Sequence, residues 1–285
     1  MSSIDRKMPV VPMVTTVSQH RIGVFPPVKV LNGAMKNKDF CVQNAHGSCR
    51  LPDCKVTQIH AGIIEACFAA ARKIAQDGQG CVGVLIAFPD VLRVLGLHPK
   101  NSVWLNSHFK DLELQVVEAT IKGRSVRSKI IRKIKESEDV VVMPGSAAPG
   151  KLHWVIFESE FWKFFYQNEV GVDWREHLPT IHQMSGPSQA VARYCLTQNT
   201  VNGERIANIL EMLGQQWEGV NREKLRQQSV RAVTQDAELF GNIGIVVDVA
   251  GPRVDDKKVR YCKRTVDLDS GKVPVRMLPA GSLFQ

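Results

Sequence analysis

Residues 203–214 (GERIANILEMLG) and 220–233 (VNREKLRQQSVRAV) decide the fold prediction for this chain. In the first stretch, apolar residues recur at spacings of three and four, which places them on one face of a short helix. They are Ile206, Ile209, Leu210 and Leu213. We expect the helix to begin at Asn202 or Gly203 and to end at Gly214, since glycine favours the position just past a helix.

The second stretch predicts a longer helix, from about Asn221 to Phe240. Its basic residues are Arg222, Lys224, Arg226 and Arg231. An apolar strand, residues 243–249, comes next, and a basic hairpin returns through residues 259–266. Short helix, turn, longer helix and hairpin is the element order of a winged helix, which is a helix-turn-helix followed by a hairpin.

The same order of elements occurs earlier in the chain. A helix begins after Asp53 and is stopped by Gly78 and Gly80, and an apolar strand covers residues 82–88. Two further helices then follow across a turn at Gly96.

A strand from residue 114 to residue 121 and a turn at Lys122-Gly123 come next. Residues 126–134 fit a helix by spacing and a strand by their β-branched content, so both alternatives stay open. Residues 144–150 form a linker, and residues 152–157 a strand.

We therefore predict an α+β fold with two winged-helix domains in tandem and a flexible N-terminal arm. The predicted units are a loosely structured arm over residues 1–50, a first domain over 51–157, a second over 158–270 and a tail over 271–285.

The charge distribution favours a polyanionic partner. The chain has 285 residues and a formal net charge of +9 at pH 7. Residues 122–135 contain seven basic residues and no acidic one, and a second basic cluster covers residues 253–264. Local excesses of this kind are typical of nucleic-acid binding, although a solvated surface is the alternative for each cluster taken alone.

The predicted contacts follow from these clusters. Arginine and glutamine on the second long helix would reach base edges, and the other basic residues would reach phosphates. The predicted base readers are Arg222, Arg226 and Gln227. The predicted phosphate contacts are Lys122, Arg124, Arg127, Lys129, Arg132, Lys133, Lys224, Arg231, Lys257, Lys258 and Arg260. In the first domain, Asn101, Ser102, Asn106 and Lys110 could face a second groove.

The sequence carries no motif of the common enzyme classes. Gly78, Gly80 and Gly83 match G-x-G-x-x-G, but they follow a helix and precede a strand, which is opposite to the dinucleotide-binding order. There is no phosphate-binding P-loop and no His-x-His pair of a nicking enzyme. We predict no enzymatic activity, no catalytic residue and no cofactor.

One group of residues raises the question of zinc. Cys41, His46, Cys49 and Cys54 lie within fourteen residues of one another. Structural zinc sites use C-x₂₋₄-C pairs, and these spacings are irregular, so we predict no metal site while the zinc alternative stays open.

The chain resembles plasmid replication initiators of the Rep/TrfA type. The resemblance rests on element order and residue character over residues 56–268, including the two stretches quoted first and FPDVLRVLGL at residues 88–97. It implies that the protein binds repeated origin sequences (iterons) in double-stranded DNA, promotes origin opening and contacts the host initiator and helicase. Some members dimerise, so the resemblance leaves monomer and homodimer open. In this family one winged helix often forms the dimer interface, so the first winged helix could serve as that interface or as a second groove reader.

The resemblance and the composition imply a bacterial cytoplasmic protein without a membrane partner. A winged-helix transcriptional repressor is the alternative function, and a nicking enzyme that uses Tyr166, Tyr194 or Tyr261 is the third.

Overall fold

The computed structural model describes residues 15–31, 38–142, 149–167, 171–215, 217, 221–251 and 253–263. The fold is mixed α+β with small antiparallel sheets, which confirms the predicted class. The predicted tail over residues 271–285 and residues 144–148 of the predicted linker lie outside the described residues.

The helices and strands follow each other closely along the chain. The helices are α1 (Val17–Arg21), α2 (Gln58–Ala69), α3 (Phe88–Val94), α4 (Ser102–Leu114), α5 (Ser159–Phe165), α6 (Leu178–Gln183), α7 (Gly186–Leu196), α8 (Ile206–Met212), α9 (Arg222–Gln235) and α10 (Ala237–Asn242). The strands are β1 (Thr15–Thr16), β2 (Phe40–Asn44), β3 (Gly47–Leu51), β4 (Lys73–Gln76), β5 (Val82–Ala87), β6 (Val116–Ile121), β7 (Arg124–Lys129), β8 (Ile131–Val142), β9 (Pro149–Phe157), β10 (Gly171–Val172), β11 (Thr200–Arg205), β12 (Ile245–Asp248) and β13 (Lys258–Cys262).

Two segments of the chain repeat one topology. The order helix, strand, helix, helix, strand, strand is formed by α2, β5, α3, α4, β8 and β9, and again by α7, β11, α8, α9, β12 and β13, with the additional helix α10 between α9 and β12. In both segments the last strand pairs with the other two, giving the orders β5-β9-β8 and β11-β13-β12. The first segment adds β4 at the edge of its sheet.

The hairpin β6–β7 is inserted between α4 and β8 and belongs to another sheet, whose order is β2-β3-β6-β7. Lys122 and Gly123, at its tip, both have positive φ values, of 49° and 78°. Two central residues with positive φ match the right-handed twist of a tight hairpin. The open element over residues 126–134 is therefore strand, divided between β7 and β8.

The two predicted domains share one continuous hydrophobic core. Helices α2 and α7 hold equivalent places in the two repeats, are buried over most of their length and contact each other. Between them the Arg193 guanidinium donates to both carboxylate oxygens of Glu65 at 2.9 Å, and both side chains are 1% exposed.

The prediction of a loosely structured arm over residues 1–50 is wrong for the described part of that segment. Residues 15–31 and 38–50 contain α1, β2 and most of β3, and Ile22, Val24 and Phe25 are buried. The pairing of β3 with β6 joins residues about seventy positions apart, so the periodicity of a short stretch of sequence could not predict it.

Three predicted helix limits are also wrong, the first because of a local hairpin and the other two because of contacts between residues far apart in the sequence. Residues 73–76 form β4, which pairs with β5, so α2 ends well before Gly78. Gly203 does not begin α8 but lies at an irregularity in β11, where the register with β13 shifts between Asn202 and Glu204. The predicted helix from Asn221 to Phe240 is broken at Asp236, whose carboxylate accepts the Ser185 backbone N–H at 2.8 Å.

Candidate nucleic-acid interface

A basic groove lies between α9 and the segment of residues 249–257 that joins β12 to β13. Its volume is about 760 Å³. Five basic residues and one acidic residue, Glu223, are among those that line it. The basic residues are Lys224, Arg226, Arg231, Arg253 and Lys257. A concave surface with this excess of positive charge attracts polyanions.

Helix α9 is held by a narrow apolar contact and exposes most of its surface. Val230 and Val233 are buried, and the helix packs against α7 and α8. Successive residues of an α-helix are rotated by 100° about the helix axis. The side of α9 opposite to the two valines is therefore formed by four residues at spacings of four, three and four. They are Lys224, Gln228, Arg231 and Gln235, and all four are exposed. We call them the outward face of α9.

The predicted base readers Arg222 and Arg226 do not belong to this outward face. The guanidinium carbon of Arg226 lies over the indole ring of Trp217, 5.8 Å from its centroid, and its side chain is 16% exposed. Arg222 is one helical turn earlier on the same side. The sequence did not indicate the contact between Arg226 and Trp217, and Arg222 is exposed. The assignment of both arginines as base readers stays a prediction.

Gln227, the third predicted reader, lines the groove but is already engaged. Its Nε2 donates to Glu223 Oε1 at 3.2 Å, within the helix. Gln228 was not predicted, although the positions of Val230 and Val233 in the sequence were enough to find the face on which it lies.

The predicted hairpin residues take different roles. The Lys257 ammonium donates to the backbone carbonyls of Val249 and Gly251, so it stabilises the loop at the edge of the groove. Arg260 is exposed on β13 and pairs with Asp248 at 3.4 Å. Lys258, two residues before it, lies on the same face of the strand and is half-buried. The predicted return of the hairpin beyond Lys263 lies outside the described residues.

The basic segment of the first repeat does not form one continuous surface. Lys122 is at the exposed hairpin tip. Arg124 lies over the Phe164 ring, 5.6 Å from its centroid, and strand alternation turns Arg127 and Lys129 to the opposite face of β7. Arg127 there pairs with Glu118 at 3.2 Å.

The last two residues predicted in this segment are on β8. Arg132 donates to Gln79 Oε1 at 2.5 Å and to the Cys81 sulfur at 3.3 Å, which connects β8 to the loop before β5. Lys133 is exposed. These residues contribute positive charge, but several of them already have partners in the protein.

The first repeat contains an equivalent groove of different character. It lies between α4 and the β8–β9 hairpin, and Ser102, Asn106 and Lys110 line it as predicted residues. Its other charged residues are Glu113 and Glu136. Of two grooves in equivalent positions, only the second one therefore has a strong excess of positive charge.

One cluster among the described residues has ligands at metal-binding distances: His60, His108 and Asp111. His60 Nδ1 accepts the backbone N–H of Thr57 at 2.9 Å, so the proton of the neutral ring is on Nε2. Nε2 lies 3.1 Å from His108 Nδ1, and the pair forms a hydrogen bond. With no lone pair free on His60 Nε2, the cluster does not suit a metal ion.

The zinc alternative finds no support in the geometry. Cys41 is exposed on β2, whereas Cys49 on β3 and Cys54 are buried. In the part of the chain that the structure describes, these cysteines and His46 do not form a cluster at ligand distances.

Two further observations concern the membrane-spanning length of the helices and the similarity of the chain to known proteins. Within the described residues, every helix is too short or too polar to cross a membrane. No family model, no curated protein and no solved structure matches this chain.

Proposed function

We propose that this protein binds double-stranded DNA through two winged-helix units, and that α9 of the second unit enters the major groove. The observation that carries the proposal is the basic groove between α9 and residues 249–257. In a helix-turn-helix protein, the second helix lies in the major groove, where its side chains reach base edges.

The repeated topology supports the winged-helix part of the proposal. In each repeat, two helices precede a hairpin, and the last strand lies between the other two. Helix α9 has 14 residues and is about 21 Å long. A helix of ordinary diameter fits the major groove, which is about 12 Å wide.

The narrower proposal is a plasmid replication initiator that binds repeated origin sequences, as the resemblance implies. A repressor built from the same units would share the groove. The nicking alternative is weaker, because Tyr166 and Tyr194 are buried and burial raises the pKa of Tyr194 to about 12. Tyr261 is only half-buried, and burial raises its pKa as well. A buried phenol with a raised pKa is a poor nucleophile.

The salt dependence of DNA binding tests the groove. Each phosphate neutralised by the protein contributes about −0.9 to the slope of log K against log salt concentration. We expect the triple variant Lys224→Gln/Arg231→Gln/Arg253→Gln to make the slope less negative by about 2.7, as measured by fluorescence anisotropy with a labelled duplex.

Lys163→Gln is the matched control, since Lys163 is an exposed lysine on α5, away from the groove residues. It should leave the slope unchanged. Equal slopes for the wild type and the triple variant would show that DNA does not bind in this groove.

Footprinting on the DNA that flanks the gene separates the narrower functions. Several direct repeats protected at spacings of about two helical turns support an initiator. A single short palindrome supports a repressor.

A further inference from the structure

The outward face of α9 contains an amide between two cations. Gln228 lies four residues after Lys224 and three before Arg231, and residues at these spacings are neighbours on a helix surface. All three line the basic groove. If a DNA duplex binds at the basic groove of the protein, with α9 in the major groove of the DNA, it would therefore contact Gln228 between two positive charges.

Gln228 differs from three other residues of the groove, Gln227, Arg226 and Lys257, because its side chain is not engaged by a described residue. Among the residues that the structure describes, none makes a hydrogen bond with its amide. The neighbouring Gln227 donates to Glu223, Arg226 is packed on Trp217, and Lys257 is bound to backbone carbonyls. Gln228 is thus the groove-lining amide whose donors and acceptor remain available to a ligand.

The chemistry of a glutamine amide matches one base in the major groove. Adenine presents the N6 amino group as donor and N7 as acceptor, and one amide can pair with both at once. Lysine and arginine on either side would contact phosphates or guanine. The arrangement combines one reader of adenine with two flanking cations.

We infer that Gln228 determines sequence specificity by pairing with an adenine of the bound duplex. This inference rests on the proposed function, in which α9 enters the major groove. It names the base that is recognised and the side chain that recognises it, and the charge of the groove alone identifies neither.

Base-analogue substitution tests the pairing directly. The duplex that wild-type protein prefers is first selected from a randomised pool. Each adenine of the selected site is then replaced in turn by 7-deazaadenine, which lacks the N7 acceptor and keeps normal base pairing. We expect one replacement to weaken wild-type binding about tenfold, and Gln228→Ala to bind the normal and the replaced duplex equally.

Two further variants complete the test. Gln183→Ala is the matched control, because Gln183 is an exposed glutamine on α6 that does not line the groove, and it should keep the wild-type response to 7-deazaadenine. Gln228→Glu should shift the preference at that position from adenine to cytosine, because a carboxylate accepts from the cytosine N4 amino group. Circular dichroism of each variant verifies that it is folded.

The failure of this inference is distinguishable from the failure of the proposed function. If Gln228→Ala still responds to the same replacement, or if Gln228→Glu keeps the preference for adenine, Gln228 does not read the base, while duplex binding stands. If the wild-type protein binds no duplex, the proposed function fails and the inference fails with it.

Discussion

Histidine ionisation affects stability through a small cluster around Trp104. The indole ring lies 4.5 Å from the ring centroid of His108 and 6.0 Å from that of His182. Burial lowers the pKa of both histidines to about 4, and for His182 the nearby charges of Lys29 and Arg193 act in the same direction. Both rings are therefore neutral in the folded protein at neutral pH.

We expect the free energy of unfolding to decrease as the pH falls from about 6.5 to about 4. In this window the unfolded histidines, with an ordinary pKa near 6.5, bind protons that the folded ones do not. Each histidine contributes at most about 1.4 kcal/mol per pH unit. Urea denaturation at a series of pH values measures the slope.

His182→Gln removes one of the histidines that titrate in this window and should make this slope shallower. Lys29 and Arg193 remain in place in the variant, so the change isolates the ring. An identical slope in the variant and the wild type would contradict the assignment.

At the scale of elements, the turn from α8 to α9 depends on a glycine. Gly214 has a φ of 90°, and a Cβ there would lie 2.3 Å from Val42 Cγ2 and 2.6 Å from Phe40 Cζ. The backbone conformation and the close approach of β2 both require glycine. The position of α9 is thus linked to the sheet that contains β2.

Comparison of two glycine variants separates these two requirements. Gly123 also has a positive φ, but a Cβ there would meet open space. We expect Gly123→Ala to lower the free energy of unfolding by about 1–2 kcal/mol. Gly214→Ala should cost a further 1–3 kcal/mol, about the usual cost of overpacking. Equal losses in chemical denaturation would show that contact with β2 is unimportant.

The sequence predicted those elements that depend on residues close together in the chain, such as the apolar spacing of a helix or a proline in its first turn. The spacing of Ile206, Ile209 and Leu210 located α8, and Pro89 located the beginning of α3. Residues 203–205 lie in β11 instead of the predicted helix, because β11 pairs with β13, about sixty positions away in the sequence. Pairings at such distances leave no periodicity in a short window.

The candidate site was predictable to a similar degree. Charge and helical spacing in the sequence located α9 and the basic segment after β12. They did not reveal that the Arg226 guanidinium packs on the Trp217 ring, or that the Lys257 ammonium donates to the carbonyls of residues 249 and 251. Those contacts depend on how loops fold back, and they decide which side chains of the groove are already engaged within the protein.

At the scale of the whole molecule, one buried ion pair connects the two repeats. Burial opposes ionisation of Glu65, but Arg193 and His20 beside it hold the pKa of its carboxyl below the ordinary value. Arg193 also donates to Gln58 and Gln189, so its guanidinium is well satisfied. Removal of the arginine would leave a buried carboxylate without its main partner.

We expect Arg193→Met to lower the free energy of unfolding by about 3–5 kcal/mol, because a buried charge that loses its partner is costly. The double variant Glu65→Leu/Arg193→Met should lose less than the single one, since it removes both charges. Urea denaturation of the variants measures both effects. A double variant as unstable as the sum of its single variants would show that the pair is not coupled.

The central position of β13 also has a consequence for synthesis of the protein. Among the described residues, β11 and β12 pair only with β13, so their sheet cannot begin to form until residues 258–262 have been translated. At ordinary rates, the ribosome needs about three to ten seconds to pass from β11 to β13. During that time, α9 is already made, but the opposite wall of the basic groove, residues 249–257, is not yet held in place by the hairpin.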